Sequence, residues 1–133
     1  MAIATLVIIG ILIPRTTIAD KSEAQVIPKS PLDVLTNNSS KDEIIMAIRY
    51  VSVKYGVNES EMMTTIKCES TFYHNQYGDN GLAYGIAQFH KPTFDRFCSG
   101  DYKSLKDQLN CMGQMFQKKL QGHWTCYKKY FGT

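Results

Sequence analysis

The chain has 133 residues, 44% of them hydrophobic and 20% charged, with a formal net charge of +3. That length and balance fit one globular domain with at most a tail and exclude a disordered chain. No Lys/Arg run interleaved with aromatics is present, which sets nucleic acid aside as a partner, and the mild positive excess suits an anionic cell-wall environment.

Residues 3–13, Ile-Ala-Thr-Leu-Val-Ile-Ile-Gly-Ile-Leu-Ile, form an apolar run too short to span a bilayer comfortably. Thr17-Ile18-Ala19 then offers small residues where a signal peptidase reads, so residues 1–19 read as a secretory signal peptide. No basic stretch precedes the run, which leaves an uncleaved anchor, touching the membrane through residues 1–19, as the other form of export. A buried core strand fits less well, because the run stands alone before a polar tail. Residues 20–39 hold two prolines and several Ser, Asn and Lys, and read as a flexible linker.

Ser40 opens the folded domain, 40–133. Glu43 three residues later completes a capping-box signature, and Ile44, Ile45, Ile48, Val51 and Tyr55 follow helical spacing up to Gly56. Asn58 with Glu61 repeats the capping signature. Met62 and Ile66 then lie seven and three residues before Glu69, on one face of the same helix. A carboxylate on that face is drawn out of water, which raises its pKa and lets it hold a proton, as a general acid must. The plain alternative is a helix-end Glu turned to solvent.

Periodicity stops in the loop Tyr73–Gly81, where a short hairpin around Gly78–Gly81 has room to form, and apolar character returns in Leu82–Phe89. Pro92 suits the first turn of a short helix through Cys98. Ser104 with Asp107 starts a last long helix whose stripe is Leu105, Leu109, Met112, Met115, Phe116 and Leu120, with Gly122 placed to stop it. Such a stripe is more often core than binding surface. His123–Tyr127 begins a compact C-terminal segment.

Four cysteines in an exported domain favour two disulfides. Of the three pairings, Cys98 with Cys111 would bridge the turn between two helices, leaving Cys68 with Cys126 to tie the Glu69 helix to the C-terminal segment. In the chain-entropy model such bridges contribute about 3 and 4 kcal/mol. The cysteines contain no Cys-x-x-Cys pair, and His74, His90 and His123 form no His-Glu-x-x-His group, so neither a metal nor a cofactor is expected.

Glu69-Ser70-Thr71-Phe72, a loop, Gly85-Ile86-Ala87-Gln88-Phe89 and Thr93 five residues after Gln88 together resemble the lytic transglycosylases of the lysozyme-like superfamily. Those enzymes cleave peptidoglycan and carry Glu-Ser-x-Phe, a variable loop and Gly-Leu-Met-Gln-Ile/Phe, followed by Pro and Thr. The resemblance covers about Asn58–Phe94; Pro92 stands one place later than in the family, and the family's Ala-Tyr-Asn motif is not visible. It implies a mainly α, lysozyme-like helical domain. It implies Glu69 as catalytic acid/base, Ser70 hydrogen-bonding near it and Gln88 contacting the bound sugar. Tyr127 and Tyr84 stand as candidates for orienting Glu69.

Peptidoglycan glycan strands would be the partner, met by a monomer. Tyr73, Tyr77, Tyr84, Phe89, Phe94 and Trp124 offer faces for sugar stacking, with core packing as the alternative for each, and Thr93 lies beside the site. The implied reaction cleaves the β-1,4 bond between N-acetylmuramic acid and N-acetylglucosamine, leaving a 1,6-anhydro product. A lysozyme-type hydrolase in which Asp79 holds a water, and a non-catalytic glycan-binding module, are the two rivals. Asp79 equally suits a plain turn in Gly78-Asp79-Asn80-Gly81.

Overall fold

The computed structural model describes residues 10–14, 27 and 29–132. The expected signal segment 1–19 lies outside the described residues apart from 10–14, and the same holds for most of 20–28. Among the described residues no helix is long and apolar enough to cross a membrane.

Five α-helices and a small antiparallel sheet follow one another along the chain. Helix α1 (Lys41–Tyr55) starts at Ser40, whose hydroxyl accepts from the Glu43 N–H while the Glu43 carboxylate accepts from the Ser40 N–H at 2.7 Å. It buries Ile44, Ala47, Ile48 and Val51. Helix α2 (Glu59–Ser70) is capped by Asn58, accepting from the Glu61 N–H, and buries Met62 and Ile66. Helix α3 (Lys91–Phe97) carries Pro92 in its first turn, and α4 (Leu105–Gln117) starts at Ser104, which accepts from the Asp107 N–H. Helix α5 (Thr125–Phe131) ends the chain.

The core lies between α1, α2 and α4, where Ile48, Val51, Ile66, Leu109 and Met112 are fully enclosed. Helix α4 ends earlier than Gly122. Lys119 takes a left-handed conformation at φ 62°, and the Lys119 and Leu120 N–H groups bond back to Phe116 and Met115. Those bonds satisfy the last carbonyls without a glycine.

Strands β1 (Tyr77–Gly78), β2 (Ala83–Tyr84) and β3 (Phe89–His90) pair in that order, with Tyr77 opposite Tyr84 and Ala83 opposite His90. A single 3-10 turn, Asp79–Gly81, joins the first two. The hairpin therefore forms where the glycines allow it, and a third short strand extends it.

The linker boundary moves. Leu32 and Leu35 are only 4% and 9% exposed and belong to the core. Asp33 pairs with Lys106 at 2.6 Å, and the Asn37 side chain accepts from the Leu105 N–H. Residues 30–39 are a strap along α4, fixed by two leucines whose spacing is too short for a periodicity signal.

The disulfides are Cys68–Cys126 and Cys98–Cys111, the pairs expected from their positions. Disulfides form and persist in oxidising compartments.

Candidate active site

Glu69 sits in the last turn of α2, half-buried, at one side of a cleft of about 400 Å³. Its carboxylate accepts a hydrogen bond from the Cys126 N–H at 3.1 Å, in the first turn of α5. Burial raises its pKa above the ordinary glutamate value, while the Cys126 N–H, which favours the charged form, pulls the other way. The covalent frame matches this contact, since Cys68 beside Glu69 is bridged to Cys126 itself.

The hairpin supplies the opposite wall. Gln88, left-handed at φ 48°, donates from its amide to the Gly85 carbonyl at 2.8 Å. Its side-chain oxygen lies 2.1 Å from where a Cβ on Gly78 would stand, so only glycine at 78 leaves room for it. Gly78, Asp79, Ala83 and Gln88 face Glu69 across the cleft, with His90 beside them.

Two buried polar side chains hold the turn that carries Gln88. Gln108 of α4 accepts from the Ala87 N–H at 3.2 Å and donates to the carbonyls of Tyr84 and Tyr102 at 3.0 and 2.8 Å. Gly85, at φ 87°, gives that amide its space: a Cβ there would stand 2.5 Å from it. His74, 2% exposed, accepts at Nδ1 from the Ile86 N–H at 3.0 Å. Its proton therefore sits on Nε2, which donates to the Lys103 carbonyl at 2.7 Å. Burial holds His74 below the ordinary histidine value, and the Lys103 charge adds to that against the opposing pull of the Lys103 carbonyl.

Asp79 and His90 meet at 2.8 Å on the cleft rim. An adjoining hollow of about 250 Å³ is lined by both, with Gln88, Phe89, Thr93 and His123 among its walls. Trp124 closes the third side. It donates from Nε1 to the Ala87 carbonyl at 2.8 Å, and its ring packs on Phe89 and Phe116.

The structure brings Glu69 and Gln88 onto one cleft, with Phe89 and Thr93 on the hollow beside it. Three expected binding residues lie elsewhere. Ser70 is buried and its hydroxyl donates to the Ile66 carbonyl one turn back, the ordinary helical use of a serine. Tyr84 is buried among His74, Tyr77 and Tyr102, its hydroxyl directed at Asn75. Tyr73 is exposed, beyond the end of α2 and outside the lining of the cleft. Neither tyrosine considered for orienting Glu69 reaches it, because Tyr127 donates to Glu61 at 3.1 Å and Tyr84 faces Asn75. A backbone N–H does that work.

Reasoning from sequence missed His90, His123 and Thr125 as lining residues, and Gln108 and His74 as supports. Gln108 had a signal, being a polar residue three after Leu105 and four before Met112 on an otherwise apolar stripe. Among the described residues no group of three or more His, Cys, Asp or Glu is arranged to hold a metal ion. No family model matches the chain, and neither a curated protein nor a solved structure matches it.

Proposed function

We propose that the chain is an exported peptidoglycan lytic transglycosylase on a lysozyme-like helical fold, with Glu69 as its acid and base. One observation carries the reading: a half-buried glutamate with a raised pKa opens on the same cleft as Gln88. Protonated Glu69 donates to the glycosidic oxygen as the bond to C1 of N-acetylmuramic acid breaks. The substrate's acetamido group stabilises the developing cation, so a second carboxylate is not obligatory. The muramic 6-hydroxyl then closes on C1 and returns its proton to Glu69, which leaves the enzyme unchanged and the product as a 1,6-anhydro sugar. Gln88, with its amide N–H engaged by Gly85, offers its carbonyl side to a sugar hydroxyl. Export rests on the two disulfides and the apolar run at 3–13.

Hydrolysis is the second reading, and the place of Asp79 on the Glu69 cleft favours it. There Asp79 would hold a water that attacks C1 in place of the 6-hydroxyl. Glu69→Gln keeps shape and hydrogen bonding but removes the transferable proton, so turnover of purified peptidoglycan should fall at least about a hundredfold while the thermal midpoint stays near the parent's. Mass analysis of the products separates the readings. Anhydromuramic ends, one water lighter, with activity retained in Asp79→Asn, support transglycosylation. Reducing ends, lost with Asp79→Asn, support hydrolysis. Strands bound but never cut would leave only a glycan-binding module. Because the acid must be protonated, activity declines on the alkaline side as Glu69 ionises, at a pH above the ordinary glutamate range.

A further inference from the structure

The Cys68–Cys126 bridge does more than close a loop. It links the residue before Glu69 to the residue whose N–H the Glu69 carboxylate accepts. The wall it anchors, His123-Trp124-Thr125, lines the cleft directly. Helix α5 has only seven residues, none of them fully buried. A helix that short is not stable by itself, and with so little area removed from water its packing holds it weakly. Beyond the bridge, its side-chain tie to α2 is the exposed-edge bond from Tyr127 to Glu61. The other bridge differs in place and role: Cys98–Cys111 joins the end of α3 to α4, where Cys111 is buried in the core, and neither residue lines the cleft.

We propose that Cys68–Cys126 is the positioning element of the acid site, so that opening this one bridge with a dithiol reductant disassembles the cleft around Glu69 while the helical core stays folded. The inference rests on the reading of Glu69 as the acid. Access is built in: a hollow of about 320 Å³, lined by Thr64, Lys67, Cys68, Thr71 and Tyr130, reaches the bridge. A reductant thiolate attacks one sulfur to give a mixed disulfide. Its second thiol then displaces the protein sulfur, so the protein gains two electrons and two protons as two thiols and the reductant leaves as a disulfide. The Lys67 ammonium on that hollow favours the departing thiolate of Cys68. With the bridge open, α5 leaves Glu69, water reaches the carboxylate, and both the burial and the Cys126 bond are lost. Burial is the larger of the two, so the Glu69 pKa falls toward the ordinary value and the acid is ionised where it was protonated.

The test titrates the Glu69 side-chain carboxyl by carbon-13 NMR, its signal assigned by its loss in Glu69→Gln. Asp79, His90 and His123, the other titratable groups on the cleft, serve as references in the same spectra. The intact protein is compared with protein opened at Cys68–Cys126 by dithiothreitol, verified by mass mapping, and with the Cys68→Ser/Cys126→Ser and Cys98→Ser/Cys111→Ser pairs. The expected result is a lowered Glu69 pKa and about a hundredfold lower kcat/KM on peptidoglycan when Cys68–Cys126 is open, with far-UV helicity kept and both effects reversed on reoxidation. The Cys98→Ser/Cys111→Ser pair should lose thermal stability and keep the Glu69 titration. An unchanged Glu69 titration in the opened protein overturns the proposal. So does collapse of helicity on opening, or a Cys68→Ser/Cys126→Ser chain that does not fold, since the bridge would then be a general staple. If the intact protein leaves peptidoglycan uncut, the proposed function fails while the titration still decides this inference.

Discussion

The helical layer and the hairpin layer of this molecule are held by different physics. Helices α1, α2 and α4 meet through Ile48, Val51, Ile66, Leu109 and Met112, with non-directional burial as the dominant force. Segment 74–90 has strands of two residues each, too short to stand on their own ladder. What fixes it is a set of directed bonds from His74 and Gln108 to the backbone of Tyr84, Ile86 and Ala87. Apolar packing tolerates gradual loss, whereas a buried hydrogen-bonded group either has its partner or bears a desolvation penalty. The hairpin is also the layer that carries Gln88 and Asp79 to the cleft, so the directed network is what positions the chemistry.

Gln108→Leu should produce the largest effect. It keeps volume but leaves the Ala87 N–H and the Tyr84 and Tyr102 carbonyls without their partner. Each such group costs about 1–3 kcal/mol when left dry. Chemical denaturation should therefore show a loss of about 3 kcal/mol or more, and turnover should fall with it as the Gln88 turn opens. Leu109→Ala, one residue on and facing the helical core, should cost about 2–5 kcal/mol through lost transfer energy and a cavity. Its survivors should keep KM close to the parent's, because the residue touches no part of the cleft. Equal losses of activity per kcal/mol in the two variants would erase the distinction between the layers.

The two layers also differ in how far the sequence alone reveals them. Ser40 with Glu43, Asn58 with Glu61 and Ser104 with Asp107 mark three helix starts, because capping is local and each signature spans four residues. The stripe from Leu105 to Phe116 marks the buried face of α4 for the same reason. Gln88 and Glu69 come together through a motif resemblance, which periodicity cannot supply. Ser70 was misplaced because its motif neighbour faces the cleft, while position 70, about 100° further round the helix, faces inward. The Cys126 N–H on Glu69 has no side-chain signature at all, and a backbone donor 57 residues away is invisible until the chain is folded. The strap at 30–39 hid behind two leucines in a polar context.

The smallest effect is a pH dependence that belongs to the hairpin layer alone. His74 accepts at Nδ1 from the Ile86 N–H and donates from Nε2 to the Lys103 carbonyl, so a second proton has no place without breaking the Ile86 bond. Burial, the main cause, holds its folded pKa below the value of 6.5 it has when exposed. The unfolded chain therefore binds more protons between the two values. Stability from His74 is complete above about pH 6.5 and is lost as pH falls toward the folded pKa, with a slope of at most about 1.4 kcal/mol per pH unit. Glu69 works in the opposite sense, because its raised folded pKa gives stability that is present at low pH and lost as pH rises through that value. The two slopes oppose each other wherever their windows overlap, so the measurement belongs in a Glu69→Gln background. There, denaturation midpoints followed downward from pH 7 should fall for His74 and stay nearly flat for His74→Asn, whose side-chain oxygen can still accept from Ile86. A His74→Asn chain that keeps the slope would assign it to the exposed His90 or His123, and the hairpin layer would have no titrating support of its own.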